Sequence, residues 1–295
     1  DFHTLGDTME RYTQALEREI AACGSFAQGR KLRSFYMGGG TPTALEPGQL
    51  DRVLAAVQRT FGFENMSEAT VEAGRPDTIT REKLAVLRDY GICRISVNPQ
   101  TMNEETLLRI GRRHTVEDTR RAFDLAREMG FSNINMDIMF AIPGQSMKMW
   151  KDTVRQCIFL KPAHISLYSL QIEEGTEFYE LYKDGKMEAV PEIQDREMYH
   201  QALAMMKEAG YKHYEISNAA LPGSESRHNL KYWSYAEYLG LGLGASSFAG
   251  GSRFKNTSRM HEYLTAIREH VPPVDQESIE HYSQREEMGI FVFTG

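Results

Sequence analysis

The chain has 295 residues, 41% of them hydrophobic and 25% charged, a composition that fits a globular protein of one large domain and a smaller one with length enough to bury a core. The 34 Lys and Arg against 41 Asp and Glu give a formal net charge of -7, and the basic residues are scattered, so the electrostatic footprint of a duplex binder is missing and no nucleic-acid partner is expected. No apolar run approaches the length of a bilayer span, and Asp1-Phe2-His3-Thr4 lacks the regions of a signal peptide, so a cytoplasmic location without stable membrane insertion is expected.

Residues 7 to 23 carry Met9, Tyr12, Leu16, Ile20 and Cys23 on one stripe, an amphipathic helix with Asp7 as its expected N-cap. A strand over Ser34 to Met37 follows, bounded by Gly38-Gly39-Gly40, then a helix from about Gly48 to Thr60. The rhythm continues with strand 69–72, helix 81–90, strand 94–97, helical segments over 103–129, strand 134–138, helix 147–160 and strand 165–168. Repeated strand-helix units predict a parallel sheet. Cys23, Cys93 and Cys157 are far apart in apolar-patterned segments and read as buried thiols, not as a disulfide or a metal pair.

Polar and glycine residues gather at the carboxyl ends of these strands: Gly38 to Thr41 after the first, Glu72 closing the next, Asn98 and Gln100 after the third, Asp137 closing the fourth, Ser169 and Gln171 after the fifth. That is the pattern of a full or partial α/β barrel with its site on one face. After Tyr168 the alternation stops. A helix near 192–209 precedes aromatic and glycine-rich sequence over 211–217, 227–233 and 238–248. Residues 1–171 are therefore expected to form the barrel part and 172–295 a smaller α+β unit, closing on an apolar helical stretch, Phe291 to Gly295, that would prefer further sequence to pack against.

Consecutive glycines after a strand let main chain approach a ligand, but Gly38-Gly39-Gly40-Thr41-Pro42 matches neither the phosphate loop nor the dinucleotide fingerprint. It keeps company with Arg94-Ile-Ser-Val-Asn-Pro-Gln100, Asn133-Ile-Asn-Met-Asp137, Ile142-Pro-Gly-Gln145, His164-Ile-Ser-Leu-Tyr-Ser169, Tyr214-Glu-Ile-Ser-Asn218 and His228-Asn-Leu-Lys-Tyr-Trp233. In this order the segments resemble the radical S-adenosylmethionine (SAM) group that contains the oxygen-independent coproporphyrinogen III oxidases (dehydrogenases) and heme chaperones, across nearly the whole chain.

The resemblance implies a partial (β/α)6 TIM-like barrel holding SAM over its carboxyl-end face. By similarity, the SAM-binding segment is Gly38, Gly39, Gly40, Thr41 and Pro42, with the backbone of Gly38 to Thr41 taking the methionyl ammonium, and Glu72, Gln100 and Asp137 would offer polar contacts. Arg112, in Gly111-Arg112-Arg113-His114, would pair the methionyl carboxylate, a task suited to a guanidinium fork. His228, Tyr232 and Trp233 would contact a heme or another tetrapyrrole, with His228 a candidate iron ligand.

The chain departs from the family by lacking the Cys-x3-Cys-x2-Cys loop that holds three irons of a [4Fe-4S] cluster. In the relatives an Asp-Phe pair follows the third cysteine, and this chain begins Asp1-Phe2, so the expectation is that the cluster loop and first barrel strand lie just upstream; without them reductive cleavage of SAM is not expected. Ser246 stands where many chaperone relatives have His, and the segments Asn98 to Thr101 and Glu72 to Pro76 resemble a separate dehydrogenase-like branch. The resemblance implies a heme chaperone-like protein that binds SAM and a cluster in its complete form and passes heme to an acceptor protein. The alternative is an enzyme that oxidatively decarboxylates coproporphyrinogen III to protoporphyrinogen IX, and a native start at Asp1 would favour a cluster-free barrel enzyme for a small metabolite.

Overall fold

The computed structural model describes residues 2–282, so the apolar stretch 291–295 lies outside the described residues. In chain order the elements are α1 Phe2–Ala22, β1 Ser34–Met37, α2 Pro47–Thr60, β2 Glu68–Glu72, α3 Arg81–Asp89, β3 Arg94–Ser96, α4 Glu104–Arg109, α5 Val116–Glu128, β4 Asn133–Phe140 and α6 Met147–Leu160. They continue with β5 His164–Ser169, α7 Glu177–Lys183, α8 Glu192–Glu208, β6 Lys212–Glu215, β7 Asn218–Ala220, α9 Arg227–Trp233, β8 Ser246–Ala249, β9 Ser252–Asn256, α10 Met260–Arg268 and β10 Val274–His281.

Local chemistry explains the helix starts. Pro47 sits in the first turn of α2, where Glu46 and Gln49 form a reciprocal capping box. Thr115 and Asp118 do the same for α5, and the Ser146 hydroxyl caps α6. Asp7 is not a cap: α1 begins five residues earlier, at Phe2, and encloses it.

Seven strands pair in the order β1-β2-β3-β4-β5-β7-β6, and β8 to β10 form a separate antiparallel sheet. Strands β3, β4 and β5 are parallel, whereas β7 and β6 extend the sheet antiparallel beyond β5. The fold is thus mixed α/β with a parallel core, as the strand-helix rhythm predicts. The strand extension over 212–220 and helix α9 lie where the sequence showed only aromatic and glycine-rich segments.

Cα proximity divides the chain into two compact units: Asp1–Thr70 with Val86–Ile92 and Ser226–Gly295, and Val71–Ala85 with Cys93–Glu225. In the second unit the strands alternate. Ile95 and Val97, Ile134, Met136 and Ile138, and Ile165 and Leu167 are buried apolar positions, while α6 and α8 pack on β4 and Trp150 donates its indole N–H to the Met198 carbonyl at 2.7 Å. The intervening positions are polar: Arg94, Ser96 and Asn98; Asn133, Asn135 and Asp137; His164, Ser166 and Tyr168. Strands buried in a parallel sheet are ordinarily apolar on both faces. Here one face is a layer of hydrogen-bonding groups, most of them buried.

Strand β4 runs to Phe140, so Asp137 lies inside the strand and does not close it. The cause is β5, which pairs with β4 from Asn135 to Phe140; on the other side Gln100 adds an isolated bridge past β3, its N–H donating to the Asp137 carbonyl at 3.0 Å and its carbonyl accepting from Met139 at 2.7 Å. Cys157 is buried, Cys23 half-buried and Cys93 exposed. The buried-thiol expectation fails at Cys93, which lies in the connection between α3 and β3, just before the sheet begins at Arg94.

In the first unit Leu16 and Ile20 of α1 pack with Val53, Ala56 and Val57 of α2. Glu19, on the same helix, is 5% exposed and has neutral partners: its carboxylate accepts from the Gly242 N–H (2.7 Å), the Asn256 amide (2.7 Å) and the Tyr263 hydroxyl (2.6 Å). Removing it strands three buried donors. Glu19→Ala should lower unfolding stability by about 2 to 4 kcal/mol in denaturant titration, with Glu19→Gln costing less; an unchanged midpoint would contradict this role.

Candidate functional site

Asp137 is the hub of the polar layer in the second unit. Its Oδ1 accepts from the Asn135 amide at 2.6 Å. That fixes the Asn135 amide orientation, and its Oδ1 accepts from His164 Nδ1 at 2.6 Å and from the Ser166 hydroxyl at 3.1 Å. His164 Nδ1 is then the donor, and Nε2 accepts from the Tyr214 hydroxyl at 2.7 Å. Burial holds His164 well below the usual imidazole range, with the Arg94 charge adding to the effect, so the ring is neutral. Arg94 is itself anchored by Asn133 Oδ1 (3.0 Å) and the Ser224 carbonyl (3.2 Å).

Burial pushes the Asp137 carboxyl up to about 6, the hydrogen bond from Asn135 opposes this, and the neighbouring Glu72 charge reinforces it. Two acids in one neighbourhood favour a ligand that donates hydrogen bonds or carries positive charge. Ser96 Oγ, Asn98 Oδ1 and Asn218 Oδ1 are buried without a hydrogen-bond partner in the same unit. Gln100 adopts a left-handed backbone, φ 64°, unusual for a side chain of its size and typical of functional sites. Glu72, Gln100 and Asp137 thus belong to one neighbourhood of the second unit.

Arg112 is half-buried. Its pKa is lowered by burial first and by the Arg75 guanidinium next, with Asp77 opposing. Two adjacent guanidiniums of which one is desolvated suit a bound carboxylate. His114 donates Nε2–H to the Pro99 carbonyl at 3.2 Å. The glycine segment belongs to the first unit: Gly39 has φ 81°, and a Cβ added at Gly39 or Gly40 would meet nothing within 4 Å. Gly39 is required by its backbone; at Gly40 no protein neighbour demands a glycine. The Thr41 carbonyl accepts from Ala44, closing the turn through Pro42.

SAM brings an ammonium and ribose hydroxyls as donors and a carboxylate as acceptor. The orphaned acceptors, the Glu72–Asp137 pair and the Arg75–Arg112 pair are of the right chemistry for it, and bound SAM would supply the alkylating or radical-forming sulfonium. For an iron-sulfur cluster the fit fails: among the described residues no group of three His, Cys, Asp or Glu could hold a metal ion.

The second cluster, in the first unit, is built on α9. Glu68, 4% exposed, accepts from the Ser226 hydroxyl (3.2 Å), the Arg227 N–H (2.9 Å) and the His228 N–H (3.1 Å), tying the start of α9 to β2. His228 Nδ1 lies 2.8 Å from the Ser34 hydroxyl and Nε2 lies 3.0 Å from the Tyr232 hydroxyl. Tyr36 stacks on the imidazole at 5.0 Å and 19°, Tyr232 meets it edge-on at 5.2 Å, and Tyr238 braces Tyr232 at 4.8 Å. Tyr36 and Tyr232 are 38% and 44% exposed. Trp233 ends the same helix but makes none of these contacts.

Sequence reasoning missed Ser34, Tyr36 and Glu68 around His228, and Asn135, His164, Ser166 and Tyr214 around Asp137. The signal for Asn135, His164 and Ser166 was present as polar residues at every other position of β4 and β5.

The profile of the radical SAM superfamily matches residues 2–157. The chain belongs to the radical SAM superfamily, in the group of the heme chaperones and oxygen-independent coproporphyrinogen III oxidase-like proteins. It is 39% identical to the heme chaperone HemW of Lactococcus lactis over 88% of this chain and 68% of that one, and 38% identical to HemW of Bacillus subtilis over 88% and 69%. The structure of coproporphyrinogen III oxidase HemN from Escherichia coli, a radical SAM enzyme, superposes with a TM-score of 0.81 at 23% identity, covering 95% of this chain and 66% of that one. The chain therefore spans about two thirds of the length of these relatives, and the HemN likeness speaks to the fold. Among the described residues no helix is long and apolar enough to cross a membrane.

A carboxyl whose folded pKa, about 6, exceeds its ordinary value of 3.8 gives most stability below pH 3.8 and loses it as pH rises through 6. Asp137→Asn should therefore raise unfolding stability at pH 7.5 by about 1 to 2 kcal/mol and leave it nearly unchanged at pH 4. Destabilisation at pH 7.5 would show that the ionised carboxylate supports the fold.

Proposed function

We propose that this chain is the greater part of a radical SAM-family heme chaperone: it holds SAM through Gly38 to Pro42, Glu72, Gln100, Arg112 and Asp137, and binds heme through His228, Tyr232 and Trp233 for transfer to an acceptor protein. In this reading the SAM-holding part lies within residues 1–171 and the tetrapyrrole-related part within 172–295, and the ligands of a [4Fe-4S] cluster come from outside both. Identity of 38 to 39% to heme chaperones over most of the chain supports it.

The observation that carries the heme assignment is the state of His228. Burial lowers its pKa to about 4, Lys231 adds to the effect and Glu68 opposes it. The ring is therefore neutral at physiological pH, the form that donates a lone pair to iron, and it lies beside two partly exposed tyrosine rings that offer flat apolar surface to a macrocycle. The decarboxylation alternative has less behind it: the HemN likeness, at 23% identity, is one of fold, and the 37% identical oxygen-independent coproporphyrinogen III oxidase-like protein HemZ of Bacillus subtilis is matched over 46% of its length.

Hemin titration followed in the Soret region tests the reading. Affinity should stay level from pH 8 to about 5 and fall as pH approaches 4, where the imidazole protonates; an unperturbed histidine would begin to lose affinity near pH 6.5. His228→Ala should weaken binding about tenfold or more, on the scale of one lost coordinate interaction, and unchanged affinity in this variant would retire the assignment.

A further inference from the structure

Both nitrogens of the His228 ring are occupied by hydroxyl groups, Ser34 at Nδ1 and Tyr232 at Nε2. A neutral imidazole donates from one nitrogen and accepts at the other, so one of these hydroxyls donates into the lone pair that a metal would need. The ring as it stands is blocked, and any iron ligation must begin by displacing a resident.

The two hydroxyls are not equally displaceable. Ser34 is on strand β1, whose pairing with β2 and packing with α9 fix the serine relative to the ring. Tyr232 is on α9 itself, one turn after His228, and is 44% exposed. Its hydroxyl sits at the end of a rotatable side chain, and its ring keeps the edge contact with Tyr238 as a second anchorage. Tyr36, stacked on the imidazole, keeps the ring plane fixed whichever hydroxyl leaves.

We infer that Nε2 is the nitrogen presented to heme iron, that the Tyr232 hydroxyl is a resident mask which heme displaces, and that Ser34 is a positioning residue whose Oγ accepts the Nδ1 proton and so keeps the lone pair on Nε2. The exchange balances without any redox step: the Nε2 lone pair passes from the Tyr232 O–H hydrogen bond to the ferric iron, the proton stays on the tyrosine oxygen, and Nδ1–H stays on Ser34. Hydrogen bonding of the distal ring nitrogen is the usual means of fixing tautomer and orientation in a metal-bound histidine. The mask leaves the unloaded site without a free imidazole for adventitious metal, and its cost is an affinity below that of a bare histidine.

The inference rests on the heme reading above, and four variants of this chain separate the two. Hemin is titrated into wild type, Tyr232→Phe, Ser34→Ala, Ser34→Thr and His228→Ala, with Soret absorbance giving affinity, stopped flow giving the association rate, and thermal melting confirming that each variant is folded. Removing the mask should raise affinity and association rate about two- to tenfold in Tyr232→Phe, the scale of one net hydrogen bond, while Ser34→Ala should weaken binding by a similar factor and Ser34→Thr should restore it. Weaker binding in Tyr232→Phe would make the hydroxyl a heme contact and overturn the mask; wild-type affinity in Ser34→Ala would overturn the positioning role. If His228→Ala binds as wild type does, the heme assignment itself falls and the mask falls with it.

Discussion

A carboxamide can serve a histidine and a carboxylate at once in only one orientation, and Asn135 is held in it. Its amide N–H points at Asp137 and its oxygen receives His164 and Ser166. A sheet that buries arginine, histidine, asparagine and serine on one face must satisfy them internally, because an unpaired buried polar group costs about 1 to 3 kcal/mol. The run from Tyr214 through His164 and Asn135 to Asp137 does this, and it joins three segments that are far apart in sequence. Toward β3 and β7 the satisfaction is incomplete, with Ser96, Asn98 and Asn218 each keeping an orphaned oxygen. A polar layer that is closed at one end and open at the other is what a site for a hydrogen-bond-donating ligand requires.

The same logic operates in the first unit around a different acid. Glu68 gathers the first donors of α9, which no intrahelical carbonyl can satisfy, and thereby sets where His228 starts relative to β1. Ser34 and Tyr36, two residues apart on β1, then address the imidazole edge and face. A neutral, oriented histidine results from a buried carboxylate that touches the backbone and leaves the ring alone. Had Glu68 instead paired with the imidazole, the ring would be charged and unfit to bind iron.

Much of the parallel core was legible because strand-helix alternation depends on local pattern: β1, β3, β5 and α6 fall within a residue or two of their expected bounds. Asp137 was legible as a polar residue near a strand end, but not as part of a strand interior, since β4 is carried on to Phe140 by pairing with β5, a segment some thirty residues later. The start of α1 was misplaced because Asp7 has the chemistry of a cap without the geometry. Ser34 and Glu68 had no sequence signal at all. A serine opening a strand and a glutamate opening another are ordinary, and their roles arise from α9 arriving more than 150 residues later. His228 and Tyr232 were legible through the family resemblance, and the contact between them follows from helical spacing of four.

The most direct test of this account is the nitrogen-15 spectrum of the His164 imidazole across a pH titration. The arrangement around Asn135 predicts a neutral ring protonated at Nδ1 at pH 7, which stays neutral as the pH falls through the ordinary imidazole range. A neutral ring with its proton on Nε2 would require the Asn135 amide to turn its oxygen away from His164, and an imidazolium at neutral pH would contradict the burial that keeps the ring uncharged; in either case the polar face would not be organised as described.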